Sequence, residues 1–152
     1  LASLNATSGA KTIIVRNANL IIQKDITLYN DSILGNAGSS KNINSAAFIV
    51  IDGNIIVENT EVKRLDGVFI AIDLDFKNSD GQIMQKNGPS TVPLTINGNL
   101  IGNVKSLFEN RQGVGDPKKD EGSVTIKYSS RLLLNPPPGL NELLSIQQAL
   151  VP

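Results

Sequence analysis

The stretch "TINGNLIGN" (Thr95–Asn103) has two earlier near-copies, "VIDGNIIVEN" (Val50–Asn59) and "VRNANLIIQ" (Val15–Gln23). Aligned on their centres, Asn17-Ala18-Asn19-Leu20-Ile21, Asp52-Gly53-Asn54-Ile55-Ile56 and Asn97-Gly98-Asn99-Leu100-Ile101 share one pattern: Asn or Asp, a small residue, Asn, then two aliphatics. β-Branched residues precede each copy, and more strand-like text follows it, as in "DITLY" (25–29), "DGVFIAIDLDF" (66–76) and "VKSLF" (104–108). Strand, small polar corner, strand is the reading: Asn and Gly accept the positive φ of a sharp bend. Three unrelated hairpins of a β-sandwich would give the same local text. Recurrence with several short strands per unit favours stacked coils. The expected fold is therefore all-β, a single-stranded parallel β-helix or solenoid of about three to four irregular coils.

Within that fold, Asn17, Asn19, Asp52, Gly53, Asn54, Asn97, Gly98 and Asn99 are expected to form structural corners, with Asn side chains bonding from coil to coil. In "VFIAIDLDF" (68–76), Ile70, Ile72, Leu74 and Phe76 share one face and are expected in the core. Phe69, Ala71, Asp73 and Asp75 share the other. Polar, Gly-rich excursions at 35–45, 77–91 and 111–122 read as loops, where recognition usually resides. The C-terminal 136–152 reads as a Pro-rich turn followed by a short capping helix over 140–150, since Pro136, Pro137 and Pro138 cannot donate to a ladder. Positions 1–152 read as one β-helix domain.

Composition narrows function. Fourteen basic and fourteen acidic residues balance, and the longest basic run is two residues, so nucleic acid is not an expected partner. The chain has no Cys and no His, which removes disulfides, thiolate metal sites, His-based zinc and a Ser-His-Asp triad. No apolar run reaches the roughly 20 residues of a membrane-spanning helix. Asn (17 residues) and Ile (18) are abundant, as strands and turns require.

Asp73, Asp75, Asn78 and Asp80 are the weak metal or ligand candidates. Acidic residues on one strand face can hold calcium or act as acid and base in polysaccharide-degrading β-helix enzymes. A partner group across a groove is not identifiable. "DFKNSDGQI" (75–83) fits a calcium loop at Asn78, Asp80, Gly81 and Ile83, but its first and twelfth positions would be Phe76 and Asn87. A turn is the simpler reading. No catalytic residue, cofactor or resident metal is expected.

Tyr128, Arg131, Asn135–Gly139 ("NPPPG"), Ser145-Ile146 and Val151-Pro152, with the upstream "NGNL" phrases and Asp66-Gly67-Val68, carry a resemblance. The chain from about Lys11 onward resembles the C-terminal region of predicted surface proteins of uncultured bacteria. Those proteins often begin with a type IV pilin-like or PilX-like helix. The resemblance implies an extracellular, cell-surface location, an upstream anchor and a longer parent protein. It implies no activity and no site residues. The expected function is non-enzymatic: a stalk, tip or lattice unit of a pilus-associated or surface-layer assembly, with copies of itself or other surface proteins as partners. The alternative is an adhesin-type module that binds a glycan or host surface. A polysaccharide-degrading enzyme is the third reading.

Overall fold

The structure, a computed structural model, describes residues 9–28, 43–76, 79–111 and 123–140. Its strands are β1 (Ala10–Arg16), β2 (Leu20–Ile22), β3 (Ser45–Ile51), β4 (Ile55–Val57), β5 (Arg64–Ile72), β6 (Ile83–Gln85), β7 (Leu94–Ile101) and β8 (Val124–Lys127). Two short helices, α1 (Lys105–Glu109) and α2 (Arg131–Leu134), complete the elements among the described residues. β1, β3, β5, β7 and β8 form a five-stranded parallel sheet in that order, and β2, β4 and β6 form a three-stranded parallel sheet.

Register follows from the alternation of apolar residues. In the larger sheet Ile13, Phe48, Phe69 and Leu100 stand in line on the inner face, and Ile14, Ile49, Ile70 and Ile101 on the outer one. In the smaller sheet Leu20, Ile55 and Ile83 line up. The core lies between the sheets. It contains Ile22, Phe48, Val50, Ile55, Leu65, Phe69 and Ile96, all fully buried. Phe48 and Phe69 stack with ring centroids 4.9 Å apart, an arrangement that adds to their burial.

The expectation of an all-β, single-stranded β-helix with a capping helix is corrected here. The described strands fall into two separate parallel sheets of five and three strands, with few helices. Parallel pairing of this kind is compatible with an α/β arrangement. The repeat that suggested stacked coils holds for two copies, not three. Asn17 (φ 53°) and Asp52 (φ 55°) do turn the chain between sheets. Asn97, Gly98 and Asn99 instead lie inside β7, paired with Asp66, Gly67 and Val68. The glycine of the third phrase serves strand approach: a Cβ on Gly98 would stand 1.8 Å from the Gly67 carbonyl oxygen.

Two other expectations change. "VKSLF" is mostly helix α1, because Asn103 Oδ1 accepts from the Lys105 amide (3.2 Å) and one residue, Leu107, turns inward. The Ile83 amide donates to the Asn103 carbonyl, so α1 follows the edge of the smaller sheet. In β5 the two faces are exchanged. Phe69 and Ala71 belong to the main core, while Ile72, Leu74 and Phe76 are exposed and the strand ends at Ile72. Alternation assigns residues to faces but does not say which face is covered. Both faces of mid-β5 are covered: Val68 and Ile70 form a second cluster with Ala47 and Leu132. The segment expected as a cap, beyond Leu140, lies outside the described residues.

After β8 the chain crosses the outer face of the larger sheet. Ser45 Oγ donates to the Asn135 carbonyl, Asn135 Nδ2 donates to the Ile43 carbonyl (2.8 Å), and Thr12 Oγ1 donates to the Pro138 carbonyl. The C-terminal segment thus runs from the β8 edge back to β3 and β1.

Candidate functional site

Three features of the described residues carry chemistry: an acidic corner, a buried arginine, and the outer face beneath the C-terminal segment.

The acidic corner grows from Asp52. Its positive φ turns the chain out of β3, and its Oδ1 accepts from the amides of Leu74 (2.8 Å) and Asp75 (3.3 Å). Those bonds draw the turn after β5 onto the corner. Asp73 Oδ1 accepts from the Phe76 amide at 2.9 Å. One carboxylate oxygen each from Asp52, Asp73 and Asp75 then lies within 4.8 Å of the others. Loss of hydration raises the Asp73 pKa above the ordinary value, and the negative charges of Asp75 and Asp80 raise it further, against the Phe76 bond. Three oxygens are part of the six to eight that calcium takes. The other candidates add little to that shell. Asp80 Oδ1 accepts from Asn54 Nδ2 at 2.9 Å, and Phe76, 87% exposed, offers no side-chain oxygen. Asn78 lies outside the described residues. The sequence pairs Asp73 with Asp75 on a strand face; the structure places both in the turn beyond the strand, where Asp52 joins them.

The Asn corners link neighbouring turns. Asn19 Oδ1 accepts from the Asn54 amide (2.8 Å), and Asn54 Oδ1 accepts from the Gln82 amide (3.0 Å). Gly53 sits where a Cβ would meet the Ala18 carbonyl oxygen at 2.2 Å. Asn97 Nδ2 donates to Asp66 Oδ1 at 2.7 Å, and Asn99 is exposed on β7.

Arg111 heads the polar stretch 111–122 in sequence, and composition alone assigns it to a loop. It is fully buried. Nε donates to Gln85 Oε1 (3.0 Å), and Nη1 to the carbonyls of Val62 (2.8 Å) and Val92 (2.9 Å). Gln85 stands in line with Ile22 and Val57, so a polar residue replaces an aliphatic one at the end of that row. Burial lowers the Arg111 pKa, and the charges of Asp25 and Glu61 act in the opposite direction. The signal available in sequence was Gln85 itself, the polar end of an otherwise aliphatic strand.

On the outer face of the larger sheet an apolar groove of about 310 Å³ opens between β5 and β7 and the C-terminal segment, lined by Val68, Ile70, Ile101, Leu132, Leu133 and Leu140 among others. On its walls Ile101 (51%), Tyr128 (61%) and Leu133 (62%) remain exposed, and Ile14 (55%) is exposed two strands away on the same face. Beside it lies a polar cavity of about 200 Å³ that includes Arg64, Asp66, Asn97 and Arg131. Asp66 is buried there. Burial acts most strongly on its carboxyl and raises the pKa. Hydrogen bonds from Arg64, Asn97 and the Leu28 amide, with the Arg64 charge, together outweigh it and hold the pKa below the ordinary value.

Comparison of the chain with protein-family models, with curated proteins and with solved structures gives no match. No helix among the described residues is long and apolar enough to cross a membrane.

Proposed function

We propose that this chain is a non-enzymatic structural module that assembles with copies of itself through the outer face of its five-stranded sheet. The observation that carries the reading is the apolar groove and its exposed rim, Ile101, Tyr128 and Leu133. Large exposed side chains gathered on one face mark contact surfaces in soluble proteins. A second copy is the favoured occupant because the formal net charge is zero at pH 7, so copies do not repel one another. Among the described residues β1 and β8 are the edges of the sheet, where strands of another chain can be added. A place at a bacterial cell surface, as part of a stalk or lattice, rests on the sequence resemblance.

Negative-stain microscopy with light scattering over a wide concentration range tests this. Ordered particles, sheets or filaments that grow with concentration are expected. A monodisperse monomer at every concentration contradicts the reading. A second reading, a module that binds a glycan or another surface, is favoured by one observation: Tyr128 is exposed at the junction of the apolar groove and the polar cavity.

A further inference from the structure

The polar cavity differs from the rest of the outer face in its charge. Arg64 and Arg131 both line it, against one carboxylate, Asp66. Arg64 Nε and Nη2 donate to Asp66 at 2.7 and 2.9 Å, Asn97 Nδ2 donates at 2.7 Å, and the Leu28 amide at 2.9 Å. Asp66 is therefore already bonded on both oxygens and neutralised by Arg64. Arg131 is the surplus cation among the described residues that line the cavity. Its Nη1 is buried and has no hydrogen-bond partner among the described residues. An N–H without an acceptor costs free energy, and because Arg131 as a whole is only part-buried at the cavity wall, a small shift of its guanidinium presents that N–H to an incoming acceptor.

We propose that this cavity binds a carboxylate, of the kind an acidic sugar carries. The planar guanidinium fork matches a carboxylate bidentately. The Ser129 and Ser130 side chains at the wall offer hydroxyl donors for the same anion or for neighbouring ligand hydroxyls. A cavity of about 200 Å³ admits one small acidic group and excludes a bulky one. Tyr128, exposed at the rim, gives the body of a sugar an apolar ring face to lie on. The inference names a ligand chemistry for the binding-module reading and does not depend on self-assembly.

The test is a titration followed by nuclear magnetic resonance of the backbone amides and arginine side chains. Sodium glucuronate, sodium acetate and glucose are the probes, with added sodium chloride balancing ionic strength. Glucuronate is expected to shift the Arg131 side chain and the amides of Tyr128–Leu132 saturably, acetate to shift the same signals more weakly, and glucose to leave them in place. Arg131→Gln is expected to weaken glucuronate binding by about tenfold or more, since it removes a charge-assisted pair. Ser130→Glu serves as a second variant. Ser130 is exposed and its hydroxyl makes no helix-cap bond, so this change places a negative charge at the cavity wall without removing a cap. It is expected to abolish the shifts. Binding that survives both variants, equal shifts with glucose, or shifts scattered over surface lysines would overturn the assignment. If acetate binds as tightly as glucuronate, the cavity is a bare anion site and the sugar-acid assignment fails. Oligomeric state, read from the same samples by diffusion, reports on assembly separately.

Discussion

Asn54 holds two neighbouring turns with one side chain. Its Oδ1 accepts from the Gln82 amide and its Nδ2 donates to Asp80, while its own amide donates to Asn19 Oδ1. Asn54→Ala leaves a part-buried amide without its acceptor and is expected to lower stability by about 1–3 kcal/mol. Asn99→Ala, on an exposed position of β7, is expected to stay within about 0.5 kcal/mol of the parent. Parallel urea melts of the two variants decide this, and equal losses would contradict it. Arg111 acts at the same scale but in the interior. Arg111→Ala strands two backbone carbonyls and Gln85 and opens a cavity. The expected loss is at least about 3 kcal/mol, measured by the same melts; a loss within about 0.5 kcal/mol, the range of surface substitutions, would contradict the buried placement.

At the scale of elements, Asp66 ties β5 to β7 through Asn97 and to the Leu28 amide. Its pKa is lowered in the folded state. The stability it supplies is therefore complete above the ordinary aspartate value of 3.8 and is lost as pH falls through the lower folded-state value. Thermal melts from pH 7 down to pH 2 are expected to show a smaller acid-induced drop in Asp66→Asn than in the parent; an equal drop would assign acid sensitivity to other carboxylates. Much at this scale was legible in sequence. The apolar β-branched text around Asn17 and Asp52 announced strand, turn, strand, and the structure has β1–β2 and β3–β4 there. The third copy misled because Asn-Gly-Asn serves equally a corner and a strand that must approach another glycine, as Gly98 approaches Gly67. The faces of β5 misled for a different reason. Alternation was visible, but the cover on the outer face comes from Leu132, 62 positions after Ile70, and no local pattern reports that. The site was legible only in part: Asp73, Asp75 and Asp80 were visible as a sequence cluster, whereas Asp52 joins them through backbone bonds, and Arg111 was hidden in a polar stretch.

At the scale of the whole molecule, two parallel sheets of the described residues bury the main core, and the C-terminal segment as far as Leu140 covers part of the outer face of the larger sheet. The exposed apolar rim and the absence of net charge together argue for contact between copies. A lysine placed on that rim adds a charge that must lose its water when copies meet, which opposes association by several kcal/mol. Ile101 and Leu133 are both about half exposed or more, so substitution there leaves the main core intact. The decisive measurement is sedimentation velocity of the parent chain beside Ile101→Lys and Leu133→Lys over a hundredfold range of concentration. The account predicts a parent that associates as concentration rises and two variants that remain monomeric, with melting temperatures equal to the parent's at the dilute end of the range, where it too is monomeric. A parent that stays monomeric throughout, or variants that associate as the parent does, would contradict it.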